Sequence, residues 1–192
     1  QMRVENLRVE HMENPPVVDA TPPRLSWTNT PRDAKARGLR QTAFRVVVAS
    51  SLKNLKRGNY DLWDSGRRET DTSILVPYQG KALEPAQDCY WMVRTWDQDG
   101  KPTAWSKPAH WGMGLLRPND WKARWIAPSQ EGNGAPLLRK RFGTRGKVHQ
   151  AKVFVCGLGY FELYVNGQRI GDDLLVPGMT DYTERHDLDK GP

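Results

Sequence analysis

At 192 residues, with 38% hydrophobic residues and 8 Trp, the chain is too aromatic for a disordered segment and long enough for two small cores, the usual domain running to about 100–150 residues. Its mean hydropathy is −0.74, its longest aliphatic run, residues 46–49, is far short of the ~20 residues of a helical membrane span, and no basic-then-apolar leader opens it. The formal charge is +7, but the 29 Lys and Arg are spread out, and their densest group, "PRDAKARGLR" at 31–40, lies among Pro and Gly as a solvated loop does, so nucleic acid is not an expected partner.

Period-two alternation punctuated by Pro, Gly, Asn and Asp predicts an all-β protein. Strands are expected at 3–11 ("RVENLRVEH"), 24–28 ("RLSWT"), 42–50 ("TAFRVVVAS"), 72–77 ("TSILVP"), 88–97 ("DCYWMVRTWD") and 109–114 ("AHWGMG"). In the fifth, Cys89, Trp91 and Val93 alternate against Tyr90, Met92, Arg94 and Trp96, so both faces are bulky. That pattern suits a central strand with one face in the core and the other partly covered. Trp27, Trp91 and Trp111 fall within strands and are expected in the core. Trp63, Trp105, Trp121 and Trp125 fall near turns, the last two in a stretch expected to pack between domains. Cys89 and Cys156 lie far apart in strand-like runs and read as separate buried thiols.

"LLRPNDWKARWIAPS", 115–129, breaks the pattern and places a boundary near 117. Beyond it, strands are expected at 137–142 ("LLRKRF"), 148–156 ("VHQAKVFVC"), 159–165 and 168–171. The last two form a hairpin in "GLGYFELYVNGQRIGD", because Asn166-Gly167 supplies the two positive φ angles of a tight turn. Phe161, Leu163 and Val165 would face inward and Tyr160, Glu162 and Tyr164 outward. Four strands fall short of the eight of a jelly roll, so the expectation is a domain in which the chain stops partway, leaving strand edges unpaired.

His11, His110, His149 and His186 are dispersed without metal-ligand spacing, and no nucleophile stands in a catalytic motif. Asp172, Asp173, Asp181, Glu184, Asp187 and Asp189 lack the ordered spacing of a calcium loop. No metal or cofactor is expected, and no catalytic residue is assigned. The residues proposed for sugar contact are Tyr160, Asp181 and Tyr182, at the hairpin and the loop after it, where function commonly sits on a rigid scaffold.

The motifs also run in a recognisable series. "VENLRVEHMENPPVVDATPPRLSW", "RQTAFRVVVASS", "DLWDSGRRETDTS", "CYWMVRTWDQDGKPTAWS" and "WGMGLL" are followed by "DWKARWIAP", "LLRKRF" and "GLGYFELYVNGQRIGDDLLVPGMTDYTER". This order resembles the N-terminal part of bacterial α-L-rhamnosidases. The resemblance implies an antiparallel Ig/fibronectin III-like β-sandwich over residues 1–116, then over 117–192 the start of a jelly-roll-like accessory domain, with a catalytic (α/α)-barrel absent from this chain. It also implies a rhamnose-containing oligo- or polysaccharide as the partner of the parent enzyme, which inverts the anomeric centre with two carboxyl groups about 6.5–9.5 Å apart. The chain itself is then expected to be non-catalytic and its compartment periplasmic or extracellular, Gln1 suggesting a trimmed N-terminus. The series departs from the family after "TDYTER", where "HDLDKGP" stands in place of a further strand. The rival reading is a free-standing carbohydrate-binding or adhesion module with no enzyme attached.

Overall fold

The computed structural model describes residues 2–33, 35–129 and 134–172. The chain divides into two compact units, Gln1–Ile126 and Ala127–Pro192.

In the first unit two antiparallel sheets enclose one core. The smaller has the order β1-β2-β6, from β1 (Met2–Val9), β2 (Arg24–Pro31) and β6 (Val76–Pro77). The larger has the order β4-β3-β7-β8, from β3 (Ala43–Ala49), β4 (Trp63–Asp64), β7 (Asp88–Trp96) and β8 (Ala109–Gly112), while β5 (Arg68–Glu69) also pairs β3. All six strands expected in this region are present. β4 and β5 were not expected, because a two-residue strand has no alternation to read; each is recruited by the open side of β3. The helix α1 (Leu52–Lys56) was not expected either. It is one turn capped by Ser51, whose hydroxyl accepts from the Asn54 amide at 3.1 Å, and it buries Leu55.

β1 shows why simple alternation blurs at its centre. Met2 and Val4 point inward at even positions, whereas Val9 is buried at an odd one. A bulge between Glu5 and Arg8, with Asn6 at φ 51°, absorbs the change of parity. The edge of β8 is covered by the segment following β1: Val18 donates to the Gly112 carbonyl at 2.8 Å, Gly112 to Pro15 at 3.0 Å and Gly114 to Val18 at 2.9 Å. Backbone groups that would template a foreign strand are thereby used within the unit.

Aromatic rings fill the space between the sheets. Trp91 and Trp111 are both fully buried with centroids 6.5 Å apart, and Trp27 meets Phe44 edge-on at 5.0 Å. Trp63, placed by sequence near a turn, is buried on β4 against Tyr78 at 5.3 Å. On the other face of β7, Met92 and Tyr90 pack with Tyr60 and Trp105 over Val47, Ala49 and Leu55. The Arg94 guanidinium lies 4.4 Å from the Trp105 ring and 5.7 Å from that of Trp96, which Arg67 also approaches at 4.9 Å. Both faces of β7 are thus covered, as its bulky alternation implied.

The second unit is sparser. Its described ladder is one hairpin, β9 (Tyr164–Val165) with β10 (Gln168–Arg169). Asn166 at φ 50° and Gly167 at φ 80° make the expected turn, and the Ile170 amide donates to the Leu163 carbonyl at 2.8 Å. The strands expected at 137–142 and 148–156 are not formed. Alternation marks a segment able to pair but does not supply the partner strand, and Leu137, Phe142 and Val153 stand 91%, 79% and 60% exposed. For the same reason Cys156 is exposed, not buried; Cys89 is buried in β7, and neither is in a disulfide.

Candidate functional site

The expected sugar-contact surface begins at the hairpin. Tyr160 and Tyr164 are exposed, and Phe161 and Leu163 are half-buried on the opposite face, as the alternation requires. Val165 and Ile170 do not complete a buried face; both are exposed, since no second sheet of the described residues packs on them. The Tyr164 hydroxyl donates to Glu162 at 2.8 Å, and this hydrogen bond, with the charge of Glu162, raises the phenol pKa. Arg169 lies 3.6 Å from the other oxygen of Glu162. The polar face of the hairpin therefore carries a Tyr164–Glu162–Arg169 chain; alternation placed Tyr164 and Glu162 outward, but Arg169, on the facing strand across a readable turn, was not singled out. Beside it is a shallow groove of about 250 Å³ lined by Val153, Val155, Phe161 and Ile170. Tyr160 is not among its lining residues. Asp181 and Tyr182 lie outside the described residues.

Three carboxyl groups of the first unit are displaced toward the ionised form. Glu10 is held low by its hydrogen bonds from Arg24, at 2.6 Å to the guanidinium, and Asp64 by those from Arg45 at 2.9 and 2.5 Å. Burial works to raise Asp61, but the Ser50 hydroxyl and amide and the Asn54 side chain outweigh it, and the net displacement is downward. All three displacements favour the ionised form, whereas a glycosidase general acid must hold its proton near neutrality. Each of these groups serves the frame: Glu10 ties the end of β1 to β2, Asp64 joins β4 to β3, and Asp61 fastens the approach to β4 onto the end of β3.

Of the histidines, His110 is engaged within the first unit. His110 Nε2 lies 3.0 Å from Asp88, with the Tyr90 ring 4.9 Å away. Among the described residues no group of three His, Cys, Asp or Glu side chains could hold a metal ion. His186 lies outside them, as do all of the acidic residues weighed for calcium except Asp172. No helix of the described residues is long and apolar enough to cross a membrane. Trp121 and Trp125, at the end of the first unit, are 40% and 63% exposed.

Comparison with known proteins gives this frame a lineage. Residues 4–117 match the Rha78A-like, N-terminal immunoglobulin domain, and residues 146–190 match the α-L-rhamnosidase N-terminal domain. An α-L-rhamnosidase of Formosa agariphila is 32% identical over 196 aligned residues, which take in 90% of this chain and 20% of the relative. The structure of α-L-rhamnosidase from Dictyoglumus thermophilum superposes with a TM-score of 0.84 at 35% identity, covering 93% of this chain and 22% of that one. The Streptomyces avermitilis α-L-rhamnosidase, solved in complex with L-rhamnose, gives a TM-score of 0.61 at 42% identity over 66% of this chain and 12% of its own. The chain thus spans about a fifth or less of the length of these relatives. With more than half of its residues matched, the chain belongs to the family of the Rha78A-like N-terminal immunoglobulin domain, followed by sequence of the α-L-rhamnosidase N-terminal domain.

Proposed function

We propose that this chain is the non-catalytic N-terminal portion of an α-L-rhamnosidase, supporting a catalytic domain carried elsewhere in the parent protein and positioning a rhamnose-containing glycan for it. The observation that carries the reading is the order of the two family matches, 4–117 then 146–190, in a chain that covers most of itself but only 12–22% of each rhamnosidase structure just compared. Glu10, Asp61 and Asp64, held ionised and committed to the frame, do not supply the carboxylic acid that inverting hydrolysis needs. A rhamnose-containing oligo- or polysaccharide is the substrate this assigns to the parent enzyme, and the periplasm or the cell exterior is the compartment where such a polymer is met.

An aryl α-L-rhamnoside assay on the 192-residue chain and on a longer product of the same gene tests this. The expected result is turnover by the longer product alone. Turnover by the 192-residue chain that survives repurification overturns the non-catalytic role. A longer product inert on every rhamnoside favours a free-standing binding module.

A further inference from the structure

We propose that the first unit carries its own binding site for a neutral oligosaccharide, in a cleft beside the three-stranded sheet. The cleft measures about 580 Å³ and is formed by β1, β2 and the stretches 39–41 and 71–74. That volume falls within the ~300–1,000 Å³ of small-molecule sites. The inference is independent of any rhamnosidase activity in the parent protein, since the ligand class is read from the cleft alone.

Five polar side chains line it without a hydrogen-bond or ion-pair partner among the described residues: Asn6, Thr28, Arg40, Asp71 and Ser73. Their backbone, by contrast, is firmly placed. Gln41 is 5% exposed, and its Oε1 accepts from Trp27 Nε1 at 3.0 Å and Asn29 Nδ2 at 2.9 Å. Its Nε2 donates to the carbonyls of Thr70 at 3.2 Å and Thr72 at 2.9 Å, the two residues that flank Asp71. Asn29 is fixed in turn by the Thr95 hydroxyl at 2.8 Å. One buried amide therefore locates the chain at Arg40, its neighbour, and at Asp71, while the two charged groups stay unpaired with each other. The β1 bulge places Asn6 on the same cleft. The hydrogen bonds of Gln41 thus hold the backbone beneath Arg40 and Asp71, while the lining side chains keep their donors and acceptors open to a ligand.

The chemistry of the lining selects the ligand. Arg8 is the only other charged residue on the cleft, and it is engaged by the His11 carbonyl at 3.4 Å and Glu13 at 3.8 Å. Arg40 and Asp71 then balance, which disfavours an anion or a cation. A carboxylate that accepts, a guanidinium that donates, and an amide and hydroxyls that do both match vicinal hydroxyl groups. Ile74, 68% exposed at the rim, offers an apolar surface to the C–H face of a sugar ring.

The test is titration of the ¹⁵N-labelled 192-residue chain with rutinose, cellotetraose, xylotetraose and mannotetraose, following the Trp27 indole N–H, whose acceptor is the floor amide. A tetragalacturonide and an uncharged hexapeptide serve as comparison ligands. Expected is a saturable shift of that resonance with at least one neutral sugar, weakened tenfold or more in Arg40→Ala and in Asp71→Ala and unchanged in Lys53→Ala, an exposed residue of α1 that does not line the cleft. Both charged groups are exposed and unpaired, so the variants should melt with the parent chain. The proposal is overturned if no neutral sugar shifts the indole, if binding survives both cleft variants, or if only the acidic sugar or the peptide binds there. The rhamnoside assay on the longer product can fail or succeed without altering any of these outcomes.

Discussion

Trp91 is, with Trp111, one of the two largest fully buried side chains of the first core, and the two rings are in contact. Trp91→Ala should lower the unfolding free energy by about 3–5 kcal/mol, read from urea denaturation, and a loss under about 1 kcal/mol would contradict its place in the core. Trp91→Phe should cost less, because the Trp91 indole N–H has no hydrogen-bond partner among the described residues and Phe removes that buried donor. The lowered carboxyl groups set a pH dependence. In Glu10 and Asp64 the folded-state pKa lies below the unfolded one, so the unfolded chain takes up protons first as the pH falls. Their stabilisation is complete above the unfolded values near pH 4 and is lost as the pH drops through the folded ones. Thermal melts should show acid destabilisation below about pH 4, and the double variant E10Q/D64N should flatten that slope; an equally steep slope would refute the assignment.

At the scale of elements, the Asn166-Gly167 turn was legible because positive φ at two adjacent residues has so few sequence solutions. Gly167→Val forces a β-branched side chain to φ near 80° and should cost the hairpin about 1–2 kcal/mol. The Ile170 amide, which bridges back to Leu163, reports the change: its hydrogen-exchange protection should fall in the variant, and unchanged protection would argue against the turn. The long strands of the first unit were equally legible, β7 down to the covering of both faces. β4 and β5 were not, since two paired residues are defined by the neighbour they join, here β3, and not by their own periodicity. The strands expected at 137–142 and 148–156 fail for the converse reason: their alternation is present but no described partner answers it. Of the proposed sugar contacts, Tyr160 could be placed outward from alternation alone, while the first-unit cleft could not be found in sequence. Its residues come from positions 2 to 74, and the sheet register and Gln41 bring them together.

For the whole molecule, the contrast between the units predicts unequal protection. Amides of β3 and β7, paired to each other along their full register, should exchange only through global opening of the first unit. Residues 134–149 form no ladder among the described residues, and their amides should exchange within seconds under the same conditions. Mass-spectrometric hydrogen exchange checks this, and comparable protection in the two stretches would show that the second unit has a core of its own. The seam between the segment after β1 and the edge of β8 adds a mechanical consequence. Val18 and Met113 bridge in parallel, and three backbone hydrogen bonds join residues 15–18 to 112–114. Tension directed from upstream of Pro15 against the chain downstream of Gly114 acts along both strands in opposite senses, so the three bonds are loaded in shear and must give way together. An antiparallel pair pulled from one end opens like a zipper, one bond at a time; here the exit toward the second unit is locked by a clasp whose bonds rupture cooperatively.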